Sequence, residues 1–200
     1  VSKKVKFQLK SIASDKFPEF ESAQNVSFFE VPAKELKEMI KQTSFAVSED
    51  GNRHFMMGVY FEKKEDNLIM VATDGRRLSY EEKNIGQGVP DFPAAIVPTK
   101  ILDCVSKNAG DEGNISVAVV DKMIFFKFGN YEFSSLLLEG EFPNYRRVIP
   151  QDLDKSFQVE KKDLEEALSR IGIMVDKNSS RIIFVVSSGK LTLVSPESEI

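Results

Sequence analysis

Asp74 stands two and three residues ahead of a pair of arginines in the stretch VATDGRRLS, residues 71–79. A second arginine pair, Arg146 and Arg147, lies in GEFPNYRRVIP. Guanidinium groups beside a carboxylate could bind a phosphate through paired hydrogen bonds while the acid moves a proton. On that reading Asp74 and an anion site of Arg76, Arg77 and Arg147 make a phosphoester-acting enzyme. The competing reading is structural. An Asp that opens T-D-G accepts hydrogen bonds from its own backbone, and Gly75 supplies the positive φ of a tight turn. A general acid would also need a titratable partner, and the sequence around Asp74 offers none. His54, beside Phe55, is the single histidine and suits a packing or rim position. The chain has no GxxxxGK[ST], HExxH, CxxC or GxSxG, and IGQGVP is a glycine pair without the rest of a dinucleotide fingerprint. The turn is the preferred reading, with no catalytic residue, metal or cofactor expected; the enzyme stays as the alternative.

The elements that carry these residues must come from a chain of 200 residues, 42% hydrophobic, enough for one good core or one domain with pieces of its neighbours. Acidic residues outnumber basic ones 31 to 27, which excludes a uniformly basic nucleic-acid coat but allows a local basic face. A single cysteine, Cys104, permits no internal disulfide, suits a reducing cytoplasmic setting and is expected to be buried on a helix. No apolar run approaches the roughly 20 residues of a membrane span, and no signal peptide is evident. Val1 in place of methionine and the ending SPESEI read as a chain cut at both ends.

The sequence repeats itself. VPAKELKEMIKQTSFAV (31–47) aligns without a gap on VEKKDLEEALSRIGIMV (159–175), 128 residues later. A weaker copy starts at VPTKILDCVS (97–106), and LIMVATD (68–74) matches LTLVSPE (191–197). KFP (16–18) similarly resembles EFP (141–143). The unit runs to about 62–66 residues, taken twice in each larger period.

Each unit has a short strand (NVSFFEV, AAIV, SFQV), a helix, and extended segments separated by EDN, DG, DK and GN turn signals. Leu36, Met39, Ile40 and Thr43 form one helical stripe, and Leu164, Ala167, Leu168 and Ile171 repeat it. Pro32 and Pro98 suit helix starts, where a missing N–H costs nothing. The order β-α-β-β-β, duplicated, predicts an α+β domain with two helices packed on antiparallel sheet. On the polar faces of those helices lie Lys34, Lys37 and Lys41, then Lys100 and Lys107. Repetition of this pattern inside an acidic chain points to a surface facing phosphates without base readout. The third helix dilutes it, since Glu165 and Glu166 accompany Lys162 and Arg170.

The duplicated unit, A-T-D-G-x-R-L, F-P-x-Y-R-R-V-x-P and IVPTK together resemble the bacterial sliding clamp, the β subunit of the replicative DNA polymerase. The resemblance covers the whole chain and implies the DNA-clamp fold. Residues 1–24 would be the end of domain one, 25–152 all of domain two, and 153–200 the first part of domain three. It implies a non-enzymatic processivity factor, a ring-shaped homodimer of the full-length protein around duplex DNA, with Lys34, Lys37, Lys41, Lys100 and Lys107 facing the DNA. It also implies a hydrophobic pocket where polymerase, clamp loader and repair proteins dock a short Gln- and Leu/Phe-bearing peptide. By motif that pocket would use Met56, Thr73, Gly75, Arg76, Arg77, Leu78, Pro143, Arg147 and Val148. Arg76 stands where the family often has His, and Ser179 where some members carry an aromatic.

Overall fold

A computed structural model describes residues 7–16, 26–86, 89–151, 153–175 and 181–196. Its contacts divide the chain into two units, Val1–Ile149 and Pro150–Ile200, a few residues before the break expected after 152. In the first unit β1 (Phe29–Pro32) leads into α1 (Ala33–Thr43), and β2 (Gly58–Lys64), β3 (Asn67–Thr73) and β4 (Leu78–Asn84) follow. The order returns as β5 (Ala95–Pro98), α2 (Thr99–Asn108), β6 (Asn114–Val120), β7 (Met123–Phe128) and β8 (Tyr131–Leu136). The duplicated β-α-β-β-β reading holds, within an α+β class.

What the repeat did not disclose is that the leading strands are exchanged. β5 pairs with β2, and β1 with β6, giving two antiparallel sheets in the orders β4-β3-β2-β5 and β1-β6-β7-β8. Each four-stranded sheet borrows a strand from the other repeat, so neither half completes its sheet alone. The β2–β5 crossing is tight. A Cβ on Gly58 would stand 2.6 Å from the Val97 carbonyl oxygen and 2.9 Å from Leu138 Cδ1, so only glycine fits without a shift.

The helical stripe behaves as its period predicts. α1 buries Leu36, Met39, Ile40 and Thr43, and α2 buries Ile101, Leu102 and Val105. These side chains meet Val31, Phe61, Met70, Val97, Ile115 and Phe126 in one core shared by both sheets. Thr43 is tolerated there because its hydroxyl donates to the Met39 carbonyl at 2.7 Å. Pro32 and Pro98 stand at the helix starts as expected, one position before the first helical residue. With ψ of 128° and 136° each is still extended, ending its strand before the first helical residue. Cys104 is half-buried rather than buried, because it lies at the edge of the α2 stripe.

The second unit holds α3 (Lys161–Gly172) and the antiparallel hairpin β9 (Ile183–Ser187) with β10 (Lys190–Val194). Leu164, Ala167, Leu168 and Ile171 are only half-buried, and no residue of α3 is buried. Ser156–Val159, expected as a leading strand, forms none. A leading strand in the first unit is held by the other repeat's strands, whereas among the described residues β9 and β10 pair only with each other. No described helix is long and apolar enough to cross a membrane.

Candidate functional site

β3 is buried along nearly its whole length. Leu68, Met70 and Ala72 face the helical core, while Ile69 and Val71 point the other way, against Tyr145. Strand register places Tyr60 and Tyr80 on either side of Val71, and Glu62 and Glu82 on either side of Ile69. Residues 142–149 return over this outer face. Phe142 stacks on Tyr60 with ring centroids 4.7 Å apart, and the Tyr145 ring sits 6.1 Å from Tyr60 and 5.8 Å from Tyr80. The Tyr145 hydroxyl donates to Glu62 Oε2 at 2.7 Å, and the Arg146 guanidinium donates to Glu62 Oε1 at 2.9 Å. Burial, then the Glu62 carboxylate, push the Tyr145 phenol far above its ordinary range, so it remains a donor. Tyr80 is pushed up to about 12 by burial and by its bond to Glu82.

The Thr73–Leu78 turn is closed by its own side chains. Thr73 Oγ1 donates to the Arg77 carbonyl at 2.7 Å and accepts from the Gly75 amide at 3.1 Å. Asp74 Oδ1 accepts from the amides of Arg76 and Arg77, both at 2.9 Å, and Oδ2 accepts from Arg77 Nε at 3.1 Å. Gly75 takes φ +85°. The Arg77 and Arg76 amides hold the Asp74 carboxyl below the usual carboxylate range, with the Arg77 side chain adding to them. An ionised acid with both oxygens engaged is a turn former, not a proton donor at neutral pH.

Between this turn and the 143–148 segment lies a cavity of about 320 Å³, lined by Met56, Thr73, Gly75, Arg76, Arg77, Leu78, Pro143, Asn144, Tyr145 and Val148. Eight of the nine residues expected of a pocket line it. Arg147 does not. Tyr145 and Asn144 were missed by sequence reasoning. The signal for Tyr145 lay in the motif itself, an aromatic held between Pro143 and two arginines. Met56 is buried, and Leu78 is half-buried with its side chain in the outer-face cluster.

Gly75, Arg76 and Arg77 also border a second, more polar cavity of about 770 Å³, with Asp74, Glu49, Asp50, Arg53 and Phe45. Here three arginines meet three carboxylates, so no net anion site results. The Arg77 guanidinium is already committed, to Asp74 and over the Phe45 ring at 5.6 Å. Arg147 borders neither cavity. The fold does not assemble Asp74, Arg76, Arg77 and Arg147 around one substrate position, and the phosphoester reading fails on that geometry.

The lysines divide. Lys34, Lys41, Lys100 and Lys107 are exposed, and among the described residues none of them has an ion pair. Lys37 is different. Its ammonium donates to the Ala109 carbonyl at 3.1 Å and to Asp111, tying α1 to the end of α2. Ser179 lies outside the described residues.

Residues 30–144 match the family model for the DNA polymerase III beta subunit, central domain. The chain is 42% identical to the beta sliding clamp of Treponema pallidum over 194 residues, which are 97% of this chain and 52% of that protein. Identity to the Escherichia coli K12 beta sliding clamp is 30%, covering 97% of this chain and 54% of that one. The crystal structure of the DNA polymerase III subunit beta from Pseudomonas aeruginosa superposes with a TM-score of 0.85 at 27% identity, covering 94% of this chain and 52% of that one. The chain thus spans about half the length of the curated relatives it matches.

Proposed function

The chain belongs to the DNA polymerase III beta subunit family, the beta sliding clamps, and on that premise we propose that it is part of a processivity factor with no catalytic residues of its own. The observation that carries this reading is the 320 Å³ cavity, whose lining combines Met56, Leu78, Pro143 and Val148 with Arg76 and Arg77. An apolar floor with polar rims suits an extended peptide. Leu78, Met56, Pro143 and Val148 receive a leucine or phenylalanine, while the arginine heads meet backbone carbonyls. Arg147, outside the lining, takes at most a rim role.

In this reading the full-length protein is a ring-shaped homodimer around duplex DNA in the cytoplasm. Polymerase, clamp loader and repair proteins reach it through short peptides. Residues 1–24, 25–152 and 153–200 then belong to domains one, two and three. Lys34, Lys41, Lys100 and Lys107 face the phosphates without reading bases. Lys37 contributes by holding the two helices together rather than as a free cation.

The test is a titration of the chain with a labelled peptide bearing the Gln- and Leu/Phe-containing motif, beside a turnover assay on phosphoesters. Saturable binding that an unlabelled copy of the peptide displaces, with no turnover, is the expected result. Turnover that disappears with Asp74→Asn would overturn it.

A further inference from the structure

Glu62 lies on β2 and does not line the 320 Å³ cavity, yet its carboxylate is the meeting point of the segment that forms one wall. Oε2 accepts the Tyr145 hydroxyl at 2.7 Å and Oε1 accepts Arg146 at 2.9 Å. The Arg146 guanidinium also lies 4.8 Å over the Tyr145 ring, so one acid fixes both consecutive residues. Tyr145 is itself a lining residue, 4% exposed, and opens the short 3₁₀ turn that carries Val148 into the wall. That turn also carries two backbone bonds, Arg147 amide to Asn144 carbonyl at 3.3 Å and Val148 amide to Tyr145 carbonyl at 3.1 Å. Between the Phe142–Tyr60 stack and the cavity, the Glu62 cluster supplies the polar fastening.

We propose that Glu62 is a positioning residue for the cavity: acting through Tyr145 and Arg146, it holds the 143–148 wall at its distance from the Thr73–Leu78 turn and so sets peptide affinity without touching the peptide. The proposal rests on the peptide-docking reading above and adds a residue to it. Ring burial of Tyr145 against Ile69 and Val71 survives loss of the acid, so the wall loosens while the sheet stays folded.

The experiment uses the full chain and three variants, Glu62→Ala, Glu62→Gln and Tyr145→Phe. Each is titrated with the same labelled peptide, followed through thermal unfolding, and read for amide hydrogen exchange at Arg147 and Val148. Glu62→Ala should weaken binding about tenfold and speed exchange at both amides. Glu62→Gln, which keeps an acceptor for the Tyr145 hydroxyl, should recover most of that affinity. Tyr145→Phe, with the ring but no hydroxyl, should fall between wild type and Glu62→Ala. Wild-type affinity and unchanged exchange in Glu62→Ala would overturn the proposal, as would a Gln variant no better than Ala. Should Glu62→Ala fail to fold, Tyr145→Phe decides by the same readouts. A wild-type chain that binds no peptide sinks the docking reading instead, and hydrogen exchange still decides whether Glu62 holds the wall.

Discussion

α1 and α3 carry the same stripe and meet different fates. Leu36, Met39, Ile40 and Thr43 are buried, whereas Leu164, Ala167, Leu168 and Ile171 remain half-exposed. Periodicity makes both segments helices, because it depends only on neighbours along the chain. Burial needs what lies opposite. In the first unit α1 faces α2 and two sheets that exchange strands, while the described part of the second unit offers α3 one two-stranded hairpin. A single hairpin has too little apolar face to bury a helix completely. The exposed Phe184, Val185 and Val186 of β9 show the same shortage from the sheet's side.

The comparison is sharpened most by deleting one leucine from each stripe. Leu36 is 0% exposed, and Leu36→Ala should cost about 3–5 kcal/mol in chemical denaturation, from lost burial and the cavity left behind. Leu168→Ala should cost under about 1 kcal/mol, since little area is removed from a contact already open. Equal losses would break the contrast.

Glycines give the next test. Gly58→Ala pushes a methyl to within 2.6 Å of the Val97 carbonyl oxygen and should destabilise by about 1–3 kcal/mol. Gly172, at the end of α3, has open space where a Cβ would stand, and Gly172→Ala should be neutral or stabilise by up to about 1 kcal/mol. Thermal unfolding of both variants checks the sign.

The helix surfaces differ in charge as well as burial. On α3, Lys161 pairs with Glu165 at 3.5 Å and Arg170 with Glu166 at 3.9 Å. Such exposed pairs add little stability, but they reduce what is offered to a phosphate. Lys100→Glu with Lys107→Glu should therefore remove most of any weak duplex binding, and the salt dependence should flatten. Reversing Lys162 and Arg170 should change it less. Anisotropy titrations at two salt concentrations distinguish these, and sequence-selective binding would contradict the phosphate-facing assignment. Lys37→Ala should show more in unfolding than in DNA binding, since its ammonium is tied to Ala109 and Asp111.

How much was legible follows the same division between local and distant causes. Eight residues that line the 320 Å³ cavity were named from the family resemblance, and the helices, the hairpin turns and the T-D-G geometry were readable from spacing and motif. The strand exchange was not, because β1 and β6 are paired across more than eighty residues and either sheet partner fits the alternation. Ser156–Val159 has the composition of a strand but pairs with no described strand, and composition alone cannot supply a pairing partner. The uninterrupted apolar run of β3 is buried on both faces, and nothing in the run itself says which segment supplies the outer cover. Glu62 carried no signal at all, since a carboxylate on the outer face of a strand resembles any solvated acid.

The last test belongs to the turn that first suggested chemistry. Leu78→Ala should weaken peptide docking by about 1–3 kcal/mol, and Arg147→Ala by less, because an exposed arginine outside the lining is screened. Asp74→Asn should weaken it least of the three. The amide oxygen can still accept from the Arg76 and Arg77 amides, and only the bond to the Arg77 side chain is lost. The pH dependence separates this role from catalysis. Asp74 has a folded-state value below its ordinary 3.8, so its contribution to stability is fully present above that value. It is lost as pH falls through the lower folded value, where protonation removes the charge that the amides favour. Wild-type docking should therefore be flat from neutral pH down to about 4 and decline only below it, while the Asn variant lacks this final decline. An enzyme using Asp74 as its acid requires the reverse: Asp74→Asn the most damaging substitution, Leu78→Ala nearly silent, and a titration near neutrality. Calorimetry of the three variants with one peptide across that pH range decides between a turn and an active site.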